Sequence, residues 1–265
     1  MGLPAVGGEQ ALGLPARRRF GRIAPSISVV IPTLNEEKNL PGVLARLPAG
    51  VHELIVVDGN SRDETVATAI RLRPDVVIVQ QEMTGKGDAL ALGFAVATGD
   101  IIVAMDGDGS TDPAELPRFV AALMAGADVA KGSRFLPGAG SDDLTALRRV
   151  GARGLTTLVN VLFGTDYTDL CYGYTAFWRE RLGRLTTAPG FEVETAMNIS
   201  AAQAGLVVTE VPSFERARVY GASNLRTVRD GLRVLGAILR KRLRRRSRHE
   251  VQVIVGTEAR AEVRL

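Results

Sequence analysis

The sequence predicts a single α/β domain with a doubly wound, mostly parallel sheet flanked by helices. Two observations carry this. Short β-branched runs recur between residues 27 and 132, and helical stretches of about ten to fifteen residues separate them. The runs ISVVI, ELIVVD, DVVIVQ, DIIVAM and ADVAKG are continuously apolar rather than alternating, as strands buried on both faces of a parallel sheet must be. Connections of this length require right-handed crossovers.

Taken in order, ISVVI opens the sheet and PTLNEEKNL leads into the first helix. ELIVVD follows, and Ser61 with Glu64 has the spacing of a capping box for the second helix. DVVIVQ precedes a helix that begins near Gly85, Lys86 and Gly87. DIIVAM runs into DGDGSTDP, where Asp112 before Pro113 places a cap ahead of a proline in the first helical turn. After Arg134 the rhythm changes. Residues 135–143 are rich in Gly, Pro and Asp; 144–163 read as a helix, 172–178 as a strand, 191–204 as a helix and 206–211 as a strand. A long basic helix over about 225–246 follows, then a tail that either adds a strand or stays loose. The expected organisation is a disordered leader at 1–25, the domain at 26–224, the amphipathic helix at 225–248 and a tail at 249–265.

Composition is that of a globular chain, with 46% hydrophobic and 23% charged residues over 265 positions. Cys171 is the one cysteine, so no internal disulfide framework exists and a reducing cytoplasm fits. Two histidines, His52 and His249, are too few for a multi-histidine zinc site. The apolar runs fall far short of the roughly 20 residues of a spanning helix, and the N-terminal stretch lacks the apolar region of a secretory signal. Residues 216–248 hold twelve Lys and Arg against Asp230 alone, leaving 21 basic and 28 acidic residues elsewhere. Such segregation points to an anionic partner.

Ligands of open α/β sheets sit beyond the carboxyl ends of the strands. The residues there are Pro32, Thr33 and Glu36; Asp58 and Gly59; Lys86 between two glycines; Asp106, Gly107 and Asp108; and Arg134. In the Asp106-Gly107-Asp108 triplet, glycines relax the backbone so that both carboxylates approach one cation. Mg²⁺ and Mn²⁺ favour hard oxygen ligands and bind through one or two carboxylates plus substrate phosphates. Arg134, leaving a buried strand, offers bidentate donors to a diphosphate.

VVIPTLNEEKNL, IVVDGNSRDET, GKGDALALGFAVATGDIIVAMDGDGSTDP and AKGSRF together resemble the donor-binding half of family 2 glycosyltransferases. TDLCYGYTAF, GFEVETAMNISAAQAG and RVYGASNL resemble the subgroup that loads sugars onto polyprenyl phosphates, the dolichyl-phosphate mannose synthases. The resemblance implies a GT-A fold, a divalent metal at Asp106 and Asp108, and inversion at the anomeric carbon. It places Pro32, Leu34, Glu36 and Asp58 along the nucleotide, with Lys86, Gly107, Arg134, Arg218 and Asn224 around the diphosphate. Leu34 stands where the family often has Tyr, and Gly107 where Ala is common.

The expected activity is transfer of a hexose from a GDP-mannose or UDP-glucose type of donor to a polyprenyl phosphate, with Asp108, Asp169 and Arg134 as catalytic candidates. A lipid phosphate attacks directly, whereas a hydroxyl acceptor needs a base. Asp169, Glu192 and Glu194 are the candidates for one, and the two glutamates do not share a helix face. Val228, Leu232, Leu235 and Leu239 form an apolar stripe beside Arg226, Arg229, Arg233 and Arg240, the pattern of a helix lying in a membrane interface. That predicts a cytoplasmic protein, peripheral on the inner membrane face, with room for a membrane-protein partner. The competing readings are a family 2 enzyme with a soluble, secondary-metabolite or polysaccharide acceptor, a sugar-1-phosphate nucleotidyltransferase, and a nucleic-acid binder acting through the arginine tail. The nucleotidyltransferase lacks its glycine- and arginine-rich loop here. The nucleic-acid reading leaves the aspartates unexplained, and Tyr220 is the one aromatic of the basic segment.

Overall fold

The computed structural model describes residues 24–221 and 227–244. The predicted leader, Asn224 and the tail beyond residue 244 lie outside the described residues. In chain order the elements are β1 (Ile27–Thr33), α1 (Leu40–Ala45), β2 (Glu53–Asp58), α2 (Thr65–Leu72), β3 (Val77–Gln80), α3 (Lys86–Val96), β4 (Ile101–Ala104), α4 (Leu116–Met124) and β5 (Val129–Ser133). Then come β6 (Gly140–Ser141), α5 (Ala146–Phe163), β7 (Thr175–Trp178), α6 (Val193–Gln203), β8 (Val208–Pro212), β9 (Phe214–Glu215) and α7 (Thr227–Arg244).

Seven strands form one sheet in the order β3-β2-β1-β4-β7-β5-β8, and β6 pairs with β9 in a separate ribbon. All pairings in the large sheet are parallel except those of β7, which runs antiparallel to β4 and β5. The continuous apolar runs explain the two-sided burial. Val29 and Ile31 pack with α1 and α4 on one face, while Val30 faces α3 and α6 on the other. A third cluster joins α5, α6 and α7 through Val159, Tyr167, Ile199, Val234 and Ile238.

Reversal of β7 places the site. Thr175 pairs with Ala104, so residues 168–174 arrive at the carboxyl edge, beside the loops that follow β4 and β5. The chain leaving β8 runs along the same edge.

One local expectation is corrected and two gain detail. The Ser61–Glu64 capping box does not form, because Ser61 donates its hydroxyl to Asp58 Oδ1 at 2.5 Å while Asp63 accepts from the Thr65 amide at 3.1 Å. Asp112 does cap as expected, accepting from the Ala114 amide at 3.0 Å, but a short 3₁₀ turn intervenes before α4. On α7 the face that packs carries Asp230, Val234, Ala237 and Ile238; Val228 and Leu232 are 69% and 63% exposed. The predicted stripe thus stays largely exposed, and α7 rests on α5 and α6 through its other face.

Candidate active site

A cavity of about 390 Å³ opens at the carboxyl edge. Lys86, Asp106, Asp108, Arg134, Glu194 and Arg218 are among its charged lining. Residues on and beside α5 and α7 also line it, apolar Leu144, Ala152, Leu155 and Val234 together with charged Asp143, Arg148 and Asp230. On α5 the lining positions 148, 151, 152 and 155 fall on one helical face.

Asp106 and Asp108 follow β4 as predicted. The backbone relaxation falls at Gly109 (φ +80°) rather than Gly107, which lies tight against β1; a Cβ on Gly107 would sit 3.0 Å from Ile31 Cγ2. The Ser110 amide donates to Asp108 Oδ1 at 2.9 Å. Lys86 Nζ stands 2.5 Å from Asp106 Oδ1 and 2.7 Å from Glu194 Oε1. Lys86, expected at a phosphate, thus bridges two carboxylates. Burial alone would depress its pKa, but the charges of Asp106 and Glu194 hold it above the ordinary lysine value.

Arg134 is placed at the site and fully engaged. It donates from Nε to Asp169 Oδ2 at 2.7 Å, from Nη2 to Asp169 Oδ1 at 3.0 Å, and from Nη1 to Glu215 Oε2 at 3.1 Å. The Asp169 carboxylate is completely buried and also accepts from the Arg134 and Cys171 amides. Desolvation would raise the Asp169 pKa, but the hydrogen bonds and charge of Arg134 bring it below the usual carboxylate value. This corrects the expectation of a base: both oxygens are committed to Arg134, and Asp169 acts as its anchor. Behind it, Lys131 donates to Glu210, whose carboxylate accepts from the Thr168 and Asp169 amides and fixes that backbone.

The remaining predicted residues divide between the two sides of the edge. Glu36 is buried and pairs with Arg218; it also accepts from Asn39 Nδ2 at 2.7 Å. Burial raises the Glu36 pKa, and Arg218 and Asn39 offset part of that rise. Asp58 closes its own turn, accepting from the Ser61 amide at 2.9 Å and from Gln80 Nε2 at 3.2 Å. Pro32 is partly buried at the end of β1, and Leu34 is 44% exposed beyond it. Both Glu192 and Glu194 are buried, yet only Glu194 lines the cavity; Glu192 Oε2 has no hydrogen-bond partner. Burial pushes the Cys171 thiol up to about 12, which disfavours its thiolate at neutral pH.

Sequence reasoning missed Glu215, Asn39, Arg148 and Gly173. A Cβ on Gly173 would lie 2.6 Å from Lys86 Nζ and 2.7 Å from Asp106 Oδ2, so any larger residue there would have to displace that ion pair. The glycine of TDLCYGYTAF was its one available signal.

The donor set fits a hard divalent cation. Asp106 and Asp108 supply carboxylate oxygens, and six carboxylates line the cavity against four cationic side chains. Among the described residues no trio of metal-ligating side chains converges. Mg²⁺-type sites take one or two carboxylates and complete the shell with phosphates and water.

Residues 28–185 match the profile of glycosyl transferase family 2. The chain belongs to that family. It is 44% identical over 109 residues to an uncharacterised glycosyltransferase of Mycobacterium tuberculosis, a match covering 41% of this chain and spanning about half (49%) of that relative's length. To the polyprenol monophosphomannose synthase of Mycolicibacterium smegmatis it is 34% identical over 236 residues, covering 83% of this chain and 89% of the relative. Among solved structures, glucosyl-3-phosphoglycerate synthase of Mycobacterium tuberculosis, crystallised with Mn²⁺, UDP and glucosyl-3-phosphoglycerate, aligns with a TM-score of 0.66 and 28% identity over 82% of this chain and 80% of that one. The GT-A arrangement expected from the sequence motifs is the one observed. No helix among the described residues is long and apolar enough to cross a membrane.

Proposed function

We propose that this chain is an inverting glycosyltransferase that moves a hexose from a nucleotide-diphosphate sugar, of the GDP-mannose or UDP-glucose type, to a polyprenyl phosphate at a membrane surface. What supports this is a cavity in which the charged residues around Asp106 and Asp108 share the lining with apolar side chains of α5 and α7, Ala152, Leu155 and Val234. An amphiphilic acceptor needs both kinds of lining, a site for its phosphate and a passage for its chain. One residue further round each helix from the lining positions, the surface is apolar: Leu147 and Val150 on α5, Val228 and Leu232 on α7. Arg149, Arg229 and Arg233 stand among them. Each basic group near an anionic lipid surface contributes about 1 kcal/mol of attraction. The similarity to the mycobacterial polyprenol monophosphomannose synthase supports the same acceptor class.

In the proposed reaction an acceptor phosphate oxygen attacks the anomeric carbon. The bond from that carbon to the donor phosphate breaks, and the nucleoside diphosphate leaves with the electron pair. Attack opposite the leaving group inverts the centre. The lipid phosphate is already anionic, so no base is required, consistent with the commitment of Asp169 to Arg134. Asp106 and Asp108 would hold Mg²⁺ or Mn²⁺, which when bound supplies Lewis-acid stabilisation of the leaving diphosphate. Arg134, held rigid by Asp169 and Glu215, keeps fixed positive charge beside that position. Arg218 reaches the diphosphate by exchanging Glu36 for a phosphate oxygen. Pro32, Leu34, Glu36 and Asp58 border the nucleotide side.

A second reading, a soluble phosphorylated acceptor, is favoured by the likeness to glucosyl-3-phosphoglycerate synthase. The deciding experiment incubates the full chain and Mn²⁺ with a panel of nucleotide sugars, with and without polyprenyl phosphate in detergent, and measures nucleoside diphosphate by mass spectrometry. Release that requires the lipid supports the proposal and names the donor. Release without lipid dependence moves the acceptor into solution, and no release with any donor rejects the enzymatic reading.

A further inference from the structure

Lys86 is placed where a bound cation would compete with it. It opens α3, and the Gly87 amide that follows donates to Pro189 O at 3.1 Å, tying this helix start to the chain ahead of α6. From there the ammonium reaches Asp106 at 2.5 Å and Glu194 at 2.7 Å, joining the end of β4 to α6. Gly173 lies over the pair, where a Cβ would come within 2.6 Å of Lys86 Nζ and 2.7 Å of Asp106 Oδ2. The side chains of Lys86 and Glu194 are 15% and 10% exposed, so neither charge is compensated by bulk water. A divalent cation approaching Asp106 therefore meets a positive charge already bonded to the same carboxylate.

We propose that Lys86 is a resident counter-cation that neutralises Asp106 and Glu194 in the free protein and competes with the divalent metal for Asp106. The proposal rests on the metal reading above. Its consequence is an order of events. Metal alone binds weakly. A nucleoside diphosphate offers Lys86 new anionic oxygens and offers the metal extra ligands, so the two enter together. Lys86 is thus a positioning residue that couples metal affinity to donor occupancy.

The test is Mn²⁺ binding to the full chain without nucleotide, read from the electron paramagnetic resonance of free Mn²⁺. Wild type is compared with Lys86→Gln and with the double variant Lys86→Met, Glu194→Gln. The double variant leaves net charge unchanged and strands no buried ion, so it guards against misfolding and against a bulk charge effect. Both variants are expected to bind Mn²⁺ about tenfold more tightly than wild type. The added affinity that UDP or GDP confers should shrink to match, and Asp106→Asn should abolish the gain. If wild type binds Mn²⁺ and the folded double variant binds no more tightly, the proposal falls while the metal site stands. If no variant binds Mn²⁺ even with UDP or GDP, the metal reading fails and takes the proposal with it.

Discussion

The two halves of the site are held by different means. From β1 to β5 each polar residue follows its own strand directly, so Asp58, Asp106 and Asp108 are placed by local chain geometry. Beyond β5 the site is assembled by pairs distant in sequence: Arg134 with Asp169 and Glu215, Lys86 with Glu194, Glu36 with Arg218. The first half is a property of the sheet. The second is a network of ion pairs fastened to it, and changes on the two sides should fail differently.

The largest effect is expected on the network side. Asp169→Asn leaves Arg134 buried with half its partners, which should destabilise the fold by about 3 kcal/mol in thermal or urea unfolding. The pH dependence follows from the lowered Asp169 pKa. Its stabilising contribution is complete above the ordinary carboxylate value of about 4 and is lost as pH falls through the lower folded value. Stability profiles of wild type and Asp169→Asn should therefore converge only on the acid side, below that value. A variant as stable as wild type at neutral pH would show that Asp169 does not anchor the network.

On the sheet side, Asp108→Ala should fold normally and lose at least about a hundredfold in turnover. Near-normal kcat with an unchanged unfolding curve would break the metal assignment. The outer face of α7 comes next. Leu232→Ser with Leu239→Ser should leave stability untouched, since both side chains are exposed. The same double change should weaken sedimentation with anionic vesicles about tenfold, or about 1.4 kcal/mol. Val234→Ser, 5% exposed on the packed face, should do the opposite. The smallest effect is Leu34→Tyr, which gives a base a ring to stack on and should tighten nucleotide binding about threefold by calorimetry.

The same contrast explains what was readable beforehand. Continuous apolar runs announce strands covered on both faces, so the sheet and its carboxyl-edge residues were legible. Periodicity on α7 was legible too, but not which stripe packs, because Val234, Ala237 and Ile238 bury against partners on α5 and α6 that lie far off in sequence. Asp169 is the sharpest case. A carboxylate in a polar stretch reads as a candidate base, and only the insertion of antiparallel β7 between β4 and β5 brings it against Arg134. Glu215 carries no local signal for the same reason. Ser61 misled differently, since the nearer Asp58 takes its hydroxyl before the helix can.

The most direct test of the lipid-acceptor proposal is acceptor competition. Purified protein with Mn²⁺ and the donor it uses is offered equal concentrations of a polyprenyl phosphate and 3-phosphoglycerate in one detergent mixture, and glycosylated products are quantified by mass spectrometry. The proposal predicts that sugar accumulates on the polyprenyl phosphate by a wide margin. Equal or preferential labelling of phosphoglycerate would contradict a lipid acceptor.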